Sequence, residues 1–252
     1  MSGPVLPAGS APDLPAPAAE TDFWRRHLWL PVLLFFAALI TVKVLGLDFR
    51  VEDALFNAHA GKFTARDAHF TKVILHDGGN RLIYATALIS FGVFLLGFGV
   101  ARLRHLRRAS LYLALCIAVT AGLAAVGKQT TNMDCPWSLD RYGGDRPYVS
   151  LYSARPAALP RGACFPGAHS SGAFALFAFY FMWRGNRPRW ARAALLGAAT
   201  LGTIYAATQW ARGAHFVSHD VWSVLMAWLV CLGGYVAFGR RLWPGPAGDK
   251  KV

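Results

Sequence analysis

Long apolar runs alternate with short basic segments and longer polar ones along the whole chain. Six runs come close to the ~20 residues a helix needs to cross a bilayer, at residues 28–47, 82–101, 110–127, 169–184, 194–211 and 218–238, the fourth and fifth being short and rich in small residues. The pattern predicts an all-α, polytopic membrane protein in which residues 22–242 form a helical bundle of six transmembrane helices. Residues 1–21 are rich in Pro, Ala, Gly and Ser and have no charged stretch before an apolar core. They read as a flexible cytoplasmic tail, not a cleavable leader, and residues 243–252 read as a second cytoplasmic tail.

The segments between the runs differ in kind. In 48–81 the apolar residues Val51, Leu55, Phe56, Phe63, Phe70, Val73 and Ile74 fall at partly helical spacing. This predicts one or two short helices at the membrane surface, with His59, His69 and His76 as interfacial polar residues. In 128–168, Pro136, Gly143-Gly144, Pro147, Pro156 and Pro160 oppose long regular elements. Long loops of that type are functional or disordered, and Lys128 and His169 at its two ends favour function. The segment 212–217 is very short, so it keeps Arg212 and His215 near the membrane surface between two helix ends.

Composition agrees with the pattern: 55% of the 252 residues are hydrophobic and 15% charged, too apolar for an ordinary soluble domain of this length. The net charge of +13 would admit a nucleic-acid partner, but its placement argues against one. Arg25 and Arg26, Arg102, Arg104, Arg107 and Arg108, Arg184, Arg187, Arg189 and Arg192, and Arg240, Arg241, Lys250 and Lys251 all fall on one side of a six-span topology. Short basic segments stay cytoplasmic. Both termini are therefore expected inside, in a bacterial inner (plasma) membrane, with Asp48, Glu52, Asp53, Asp134, Asp140 and Asp145 on the periplasmic side. Trp137, Tyr142, Tyr148 and Tyr152 read as aromatic residues settling the second loop at head-group level. Cys116 and Cys231 lie inside apolar runs as small core residues. Cys135 and Cys164 flank one outer loop and could form a disulfide in an oxidising compartment, although spacing does not fix bond geometry.

The candidate chemistry sits where loops meet apolar runs: Phe165-Pro-Gly-Ala-His169-Ser-Ser-Gly172, Arg212-Gly-Ala-His215-Phe-Val-Ser-His219-Asp220, and Lys128. A phosphate ester needs its anionic oxygens cradled, its phosphorus attacked in line and its leaving oxygen protonated. Lys128, Arg212 and helix-start amides near Ser170 and Ser218 suit the first task, and imidazole suits either of the others. Ser218 and Asp220 could also simply cap the last span and complement its dipole.

These residues resemble the type 2 phosphatidic acid phosphatase (PAP2) superfamily over approximately 125–225. That pattern runs Lys, six residues, Arg-Pro; Pro-Ser-Gly-His; then Ser-Arg, five residues, His, three residues, Asp. Here Lys128 is followed by Cys135-Pro136, so the arginine is missing, and Pro166-Gly-Ala-His169 matches the second motif with altered small residues. Gly213-Ala-His215-Phe-Val-Ser218 resembles the third. Six before His215 stands Gln209 in place of arginine, with Arg212 about one helical turn further on. Four after it stands His219 in place of aspartate, with Asp220 adjacent.

The resemblance implies metal-free, cofactor-free hydrolysis of a lipid phosphate or diphosphate monoester at the periplasmic helix ends. His215 would be the nucleophile, giving a phosphohistidine, and His169 the acid. Lys128, Arg212 and Ser170 would bind phosphate, and Asp220 or His219 would orient the imidazole. A register with His219 as nucleophile, seven after Arg212, stays open. Arg146, in Asp145-Arg146-Pro147, is a substitute for the missing first-motif arginine, and Arg141 is another. Capture of the phosphohistidine by a second lipid would give a phosphotransferase instead. A transporter of the same fold would carry ionisable residues in mid-span, and Lys43 is the nearest to that description.

Overall fold

The computed structural model describes residues 17–151, 153–240 and 242, and every regular element among them is helical, with no strand. Residues 17–21, expected in the flexible tail, form the first turns of α1 (Pro17–Trp24); the rest of that expected tail, residues 243–252 and Tyr152 lie outside the described residues.

A turn of π-helix, Arg25–Trp29, carries α1 into α2 (Leu30–Val44). Pro31 has no N–H to offer the carbonyl of His27 four residues earlier. That carbonyl accepts the Trp228 indole N–H instead, at 2.6 Å, which docks the rod against α9 (Val217–Ala237). Gly46, at φ +60°, reverses the chain into α3 (Leu47–Leu55). A π-helical segment, Phe70–Gly78, leads into α4 (Gly79–Gly99), and a 3-10 segment, Ala101–Leu106, leads into α5 (Arg107–Thr130).

The expected fourth span is divided into α6 (Ala168–Phe174) and α7 (Phe177–Trp183), two seven-residue helices packed largely inside the bundle. α8 (Pro188–Ala211) passes close to α6 because Gly202 leaves room for the Phe174 ring. Four helical stretches are long and apolar enough to cross a membrane by length and composition: Ala19–Val44, Phe70–Gly99, Ala101–Thr130 and Val217–Ala237. Their outward faces carry exposed large hydrophobics such as Leu33, Leu88 and Ile89, the surface expected of helices in contact with lipid tails. Inside, Tyr112 is fully buried and its hydroxyl donates to the Cys231 carbonyl at 2.8 Å, joining α5 to α9.

The two ends of the bundle differ. At one, Arg240 grips Glu20 at 2.5 and 2.7 Å, Arg184 lies 4.9 Å over the Phe23 ring, and Arg108 donates to the Phe238 carbonyl. At the other, the connections 45–78, 131–167 and 212–216 are layered together. The second loop is ordered there: Cys135 and Cys164 are disulfide-bonded, and buried Asp134 binds Arg146 at 2.5 Å and Arg155 at 2.6 Å. Arg141 and Tyr142 both bind Asp53 of α3. Tyr142 and Tyr148 pack into an aromatic layer with Phe49, Phe63 and Phe216.

Beneath this layer, Glu52 is completely buried and neither carboxyl oxygen has a partner among the described residues. Burial, with Asp48, Asp220 and Asp53 nearby, pushes its carboxyl up to about 9. The folded protein therefore keeps a proton there that an unfolded chain, at about 4.3, would release. Stability from this group is complete below about pH 4 and is lost as pH rises towards 9. Glu52→Gln is expected to melt at the wild-type temperature near pH 5 and several degrees higher at pH 8.5. Parallel melting curves across that range would show that Glu52 is not held neutral.

Candidate active site

α8 ends in a Schellman turn: the Gly213 N–H bonds the Trp210 carbonyl and the Ala214 N–H bonds the Gln209 carbonyl, both at 2.8 Å, with Gly213 at φ +66°. A side chain at Gly213 would collide with the Phe63 ring, so glycine is required twice over. Two residues later His215 is delivered between the helices. α9 then starts with the Ser218 N–H donating to Asp48 Oδ1 at 2.8 Å, so the cap comes from α3 and not from the Ser218 hydroxyl. On the far side, Gly127 of α5 makes space for the Pro166 ring. This close approach lays residues 165–169 against the end of α5 that carries Lys128.

Lys128, His169 and His215 consequently line one cavity of about 310 Å³, together with His76, Asn80 and Gln209. Its remaining wall is apolar: Ile83 and Tyr84 from α4, and Ile117, Ala121 and Ala125 from α5. Residues 117, 121, 125 and 128 share one face of α5, so the apolar stripe runs roughly 16 Å from Lys128 towards the middle of the bundle. Tyr84 is 61% exposed, and the cavity therefore opens sideways between α4 and α5.

The His169 ring is clasped between those of His76 and Tyr205, each 4.7 Å away. Its Nδ1 lies 2.8 Å from Asn80 Oδ1 and its Nε2 3.2 Å from the Leu75 carbonyl. His215 Nδ1 lies 3.6 Å from the disulfide sulfur of Cys164. Burial and the neighbouring Lys128 charge hold the His215 imidazole well below its ordinary range, so it is neutral at pH 7. The Lys128 ammonium donates to the Ala163 carbonyl at 3.0 Å, and with three N–H groups it keeps donors for the cavity. Gln209 is 3% exposed, and its Nε2 has no partner among the described residues.

The other residues singled out from sequence lie elsewhere. Arg212 is buried beside the first loop, with Nε donating to the Arg66 carbonyl at 3.4 Å and Nη1 unpartnered among the described residues; its charge reaches His169. Arg146 is held by Asp134, and Arg141 by Asp53. The Ser170 hydroxyl donates to Asp220, whose second oxygen accepts the Trp210 indole N–H at 2.7 Å. Asp220 thus links α6, α8 and α9 and does not contact His215. His219 points away from the cavity, edge-on to Phe165 and Phe216, and lines a separate space of about 20 Å³ with Lys43 and Asp48. Cys164 Sγ and a nitrogen of each of His215 and His219 lie within 4.8 Å of one another. The sulfur is committed to the disulfide, and two imidazoles are two ligands short of a closed zinc site.

Sequence reasoning gave no role to Gln209 and did not single out Asn80. Both are lone amides at the margins of apolar runs; Gln209 also stood at the motif position where the family has arginine, whereas the polar interruption was the signal for Asn80. Two melting experiments separate the groups that hold the site together from those that wait for a ligand. Asp220→Ala leaves the half-buried Trp210 indole N–H without its acceptor and the Ser170 hydroxyl with the Gly167 carbonyl alone, and should cost about 1–3 kcal/mol and several degrees of melting temperature. Gln209→Met removes a buried donor that no described residue satisfies, so it should melt no lower than wild type. A clear loss of stability in Gln209→Met would mean that the amide is already bonded within the fold.

No curated protein and no solved structure matches this chain. A model of one protein family does match, that of the PAP2 superfamily, over residues 109–243, which takes in Lys128, His169, Gln209 and His215 but not Asn80. Since the match covers more than half of the 252 residues and includes three of the cavity's charged or imidazole-bearing groups, the chain belongs to the PAP2 superfamily.

Proposed function

We propose that this membrane phosphatase-type protein hydrolyses a lipid phosphate or diphosphate monoester through a phosphohistidine on His215. One observation carries the reading: a single cavity has Lys128, His169 and His215 at its polar end and an apolar stripe of α4 and α5 leading sideways from it. A cationic, imidazole-lined head joined to an apolar trough fits a phosphate with a hydrocarbon tail. The His215 ring, neutral and held at Nδ1 by the Cys164 contact, attacks phosphorus through Nε2. His169 protonates the leaving lipid oxygen and then takes a proton from the water that splits the phosphohistidine. Lys128 and the unpartnered Gln209 amide neutralise and bind the oxygens of the five-coordinate transition state. His219, sealed behind Phe165 and Phe216, is the weaker nucleophile candidate.

The same reading sets the chain in a bacterial inner membrane with six crossings, α6–α7 and α8 supplying the two that are less apolar. The arginine-rich end, where Glu20 meets Arg240, is cytoplasmic by the positive-inside rule, and the cavity end is periplasmic. The disulfide between Cys135 and Cys164 suits that oxidising side. Candidate substrates are undecaprenyl diphosphate, phosphatidylglycerol phosphate and the phosphates of lipid A.

The test is phosphate release from a panel of these lipids by purified protein, with and without EDTA. Wild type should release phosphate equally in both conditions. His215→Ala and His169→Ala should lose about 10³-fold or more, and His219→Ala should retain most activity. Full activity in His215→Ala, or a preference for a tail-free phosphate ester, would overturn the reading.

A further inference from the structure

The match to the family stops short of the segment that grips His169. That grip comes from residues 75–80, which arrive from the first outer loop and the start of α4. Both groups facing the ring nitrogens are oxygens: Asn80 Oδ1 at 2.8 Å from Nδ1, and the Leu75 carbonyl at 3.2 Å from Nε2. Oxygens of this type only accept. The bond at Nδ1 is short and comes from a side chain rooted in the first turn of α4, whereas the bond at Nε2 is long and comes from a backbone carbonyl.

We infer that Asn80 is a positioning residue that fixes the proton of His169 on Nδ1, so that Nε2 is the nitrogen that gives and regains a proton in each turnover. The inference rests on the proposed acid role of His169. In the imidazolium, Nδ1–H donates to Asn80 Oδ1 and Nε2–H donates to the Leu75 carbonyl. Substrate entering the cavity exchanges that carbonyl for its leaving oxygen. Protonation of the leaving oxygen breaks the Nε2–H bond and forms an O–H bond, while the phosphorus–oxygen bond breaks as the His215 nitrogen bonds to phosphorus. The ring is then neutral with its remaining hydrogen on Nδ1, still bonded to Asn80. The bare Nε2 accepts a proton from the attacking water, and the imidazolium is restored.

No side-chain rotation is needed at any step, because the partner at Nδ1 never changes. A neutral partner also has a consequence that a carboxylate would not. It orients the ring without adding a negative charge to a cavity that must admit a phosphate, and without making the imidazolium too reluctant to part with its proton. The other groups around His169 are His76 and Asp77 from the segment before α4, Tyr205 and Arg212 from α8 and its end, and Lys128 and His215 across the cavity. None of these has a hydrogen bond to Nδ1 among the described residues.

The experiment is the pH dependence of kcat for phosphate release from a lipid monophosphate by full-length wild type, Asn80→Asp and Asn80→Ala. In Asn80→Asp, which is nearly isosteric, the alkaline limb of the profile should move up by about one pH unit or more. In Asn80→Ala, kcat should fall about 10- to 100-fold with KM changed less than about threefold. An Asn80→Asp profile that coincides with wild type overturns the inference, whatever Asn80→Ala does. An Asn80→Ala protein that folds and keeps wild-type kcat overturns it as well. Wild type that releases no phosphate from any lipid phosphate is a different failure, that of the proposed function.

Discussion

The connection between α8 and α9 has only residues 212–216 in which to close one helix, present an imidazole and open another. It succeeds because Gly213 takes a left-handed conformation that a side chain would strain, and because the carbonyls of Gln209 and Trp210 are satisfied within the turn. Several segments at this end of the bundle are anchored on that connection. Phe63 of the first loop covers Gly213, the Trp137 N–H of the second loop bonds the Gly213 carbonyl at 2.9 Å, Asp48 caps α9, and Cys164 braces His215. A long proline-rich loop is ordered here by what it is tied to, since it contains little regular structure of its own.

Buried polar groups around the cavity fall into two kinds. Asp220 accepts from both Ser170 and Trp210 and so ties three helices together. Gln209 Nε2 and Arg212 Nη1 are buried donors without partners among the described residues. An unsatisfied buried donor is costly; Gln209 lines the cavity, whereas Arg212 lies beside the first loop. Under the proposed function, a donor held in place before an anion arrives is electrostatic preorganisation. His219 is a harder case, since neither of its nitrogens has a partner among the described residues, in an aromatic setting that no proposed step uses.

The walls of the cavity differ from its polar end. α5 supplies Lys128 and also the small residues Ala121 and Ala125 on the same face, so under the proposed function one helix offers a cation for a head group and a smooth trough for a tail. α4 faces it with Ile83 and Tyr84, and its first turn holds Asn80. Under the proposed function, the sideways opening between these helices lets a lipid present its phosphate to His215 without leaving the bilayer.

Much of this was legible in the one-dimensional pattern. Apolar runs and the one-sided distribution of arginine follow from the bilayer as solvent, which acts on each segment separately, and so they predicted an all-helical membrane protein and which loops share a face. Lys128, His169 and His215 were also recognisable, since their motifs are local and in order. What the pattern could not show depends on contacts between distant segments. Asp220 stands next to His219 in sequence, yet helical geometry turns one towards Ser170 and Trp210 and the other towards Phe165. Arg146 restores an Arg-Pro pair on paper, but Asp134 claims its guanidinium. Asn80 and Leu75 reach His169 from about 90 residues away. Residue type and spacing determine what a side chain is able to do; which partner it meets is decided by the packing of the helices, because hydrogen bonds and ion pairs form only over a few ångströms.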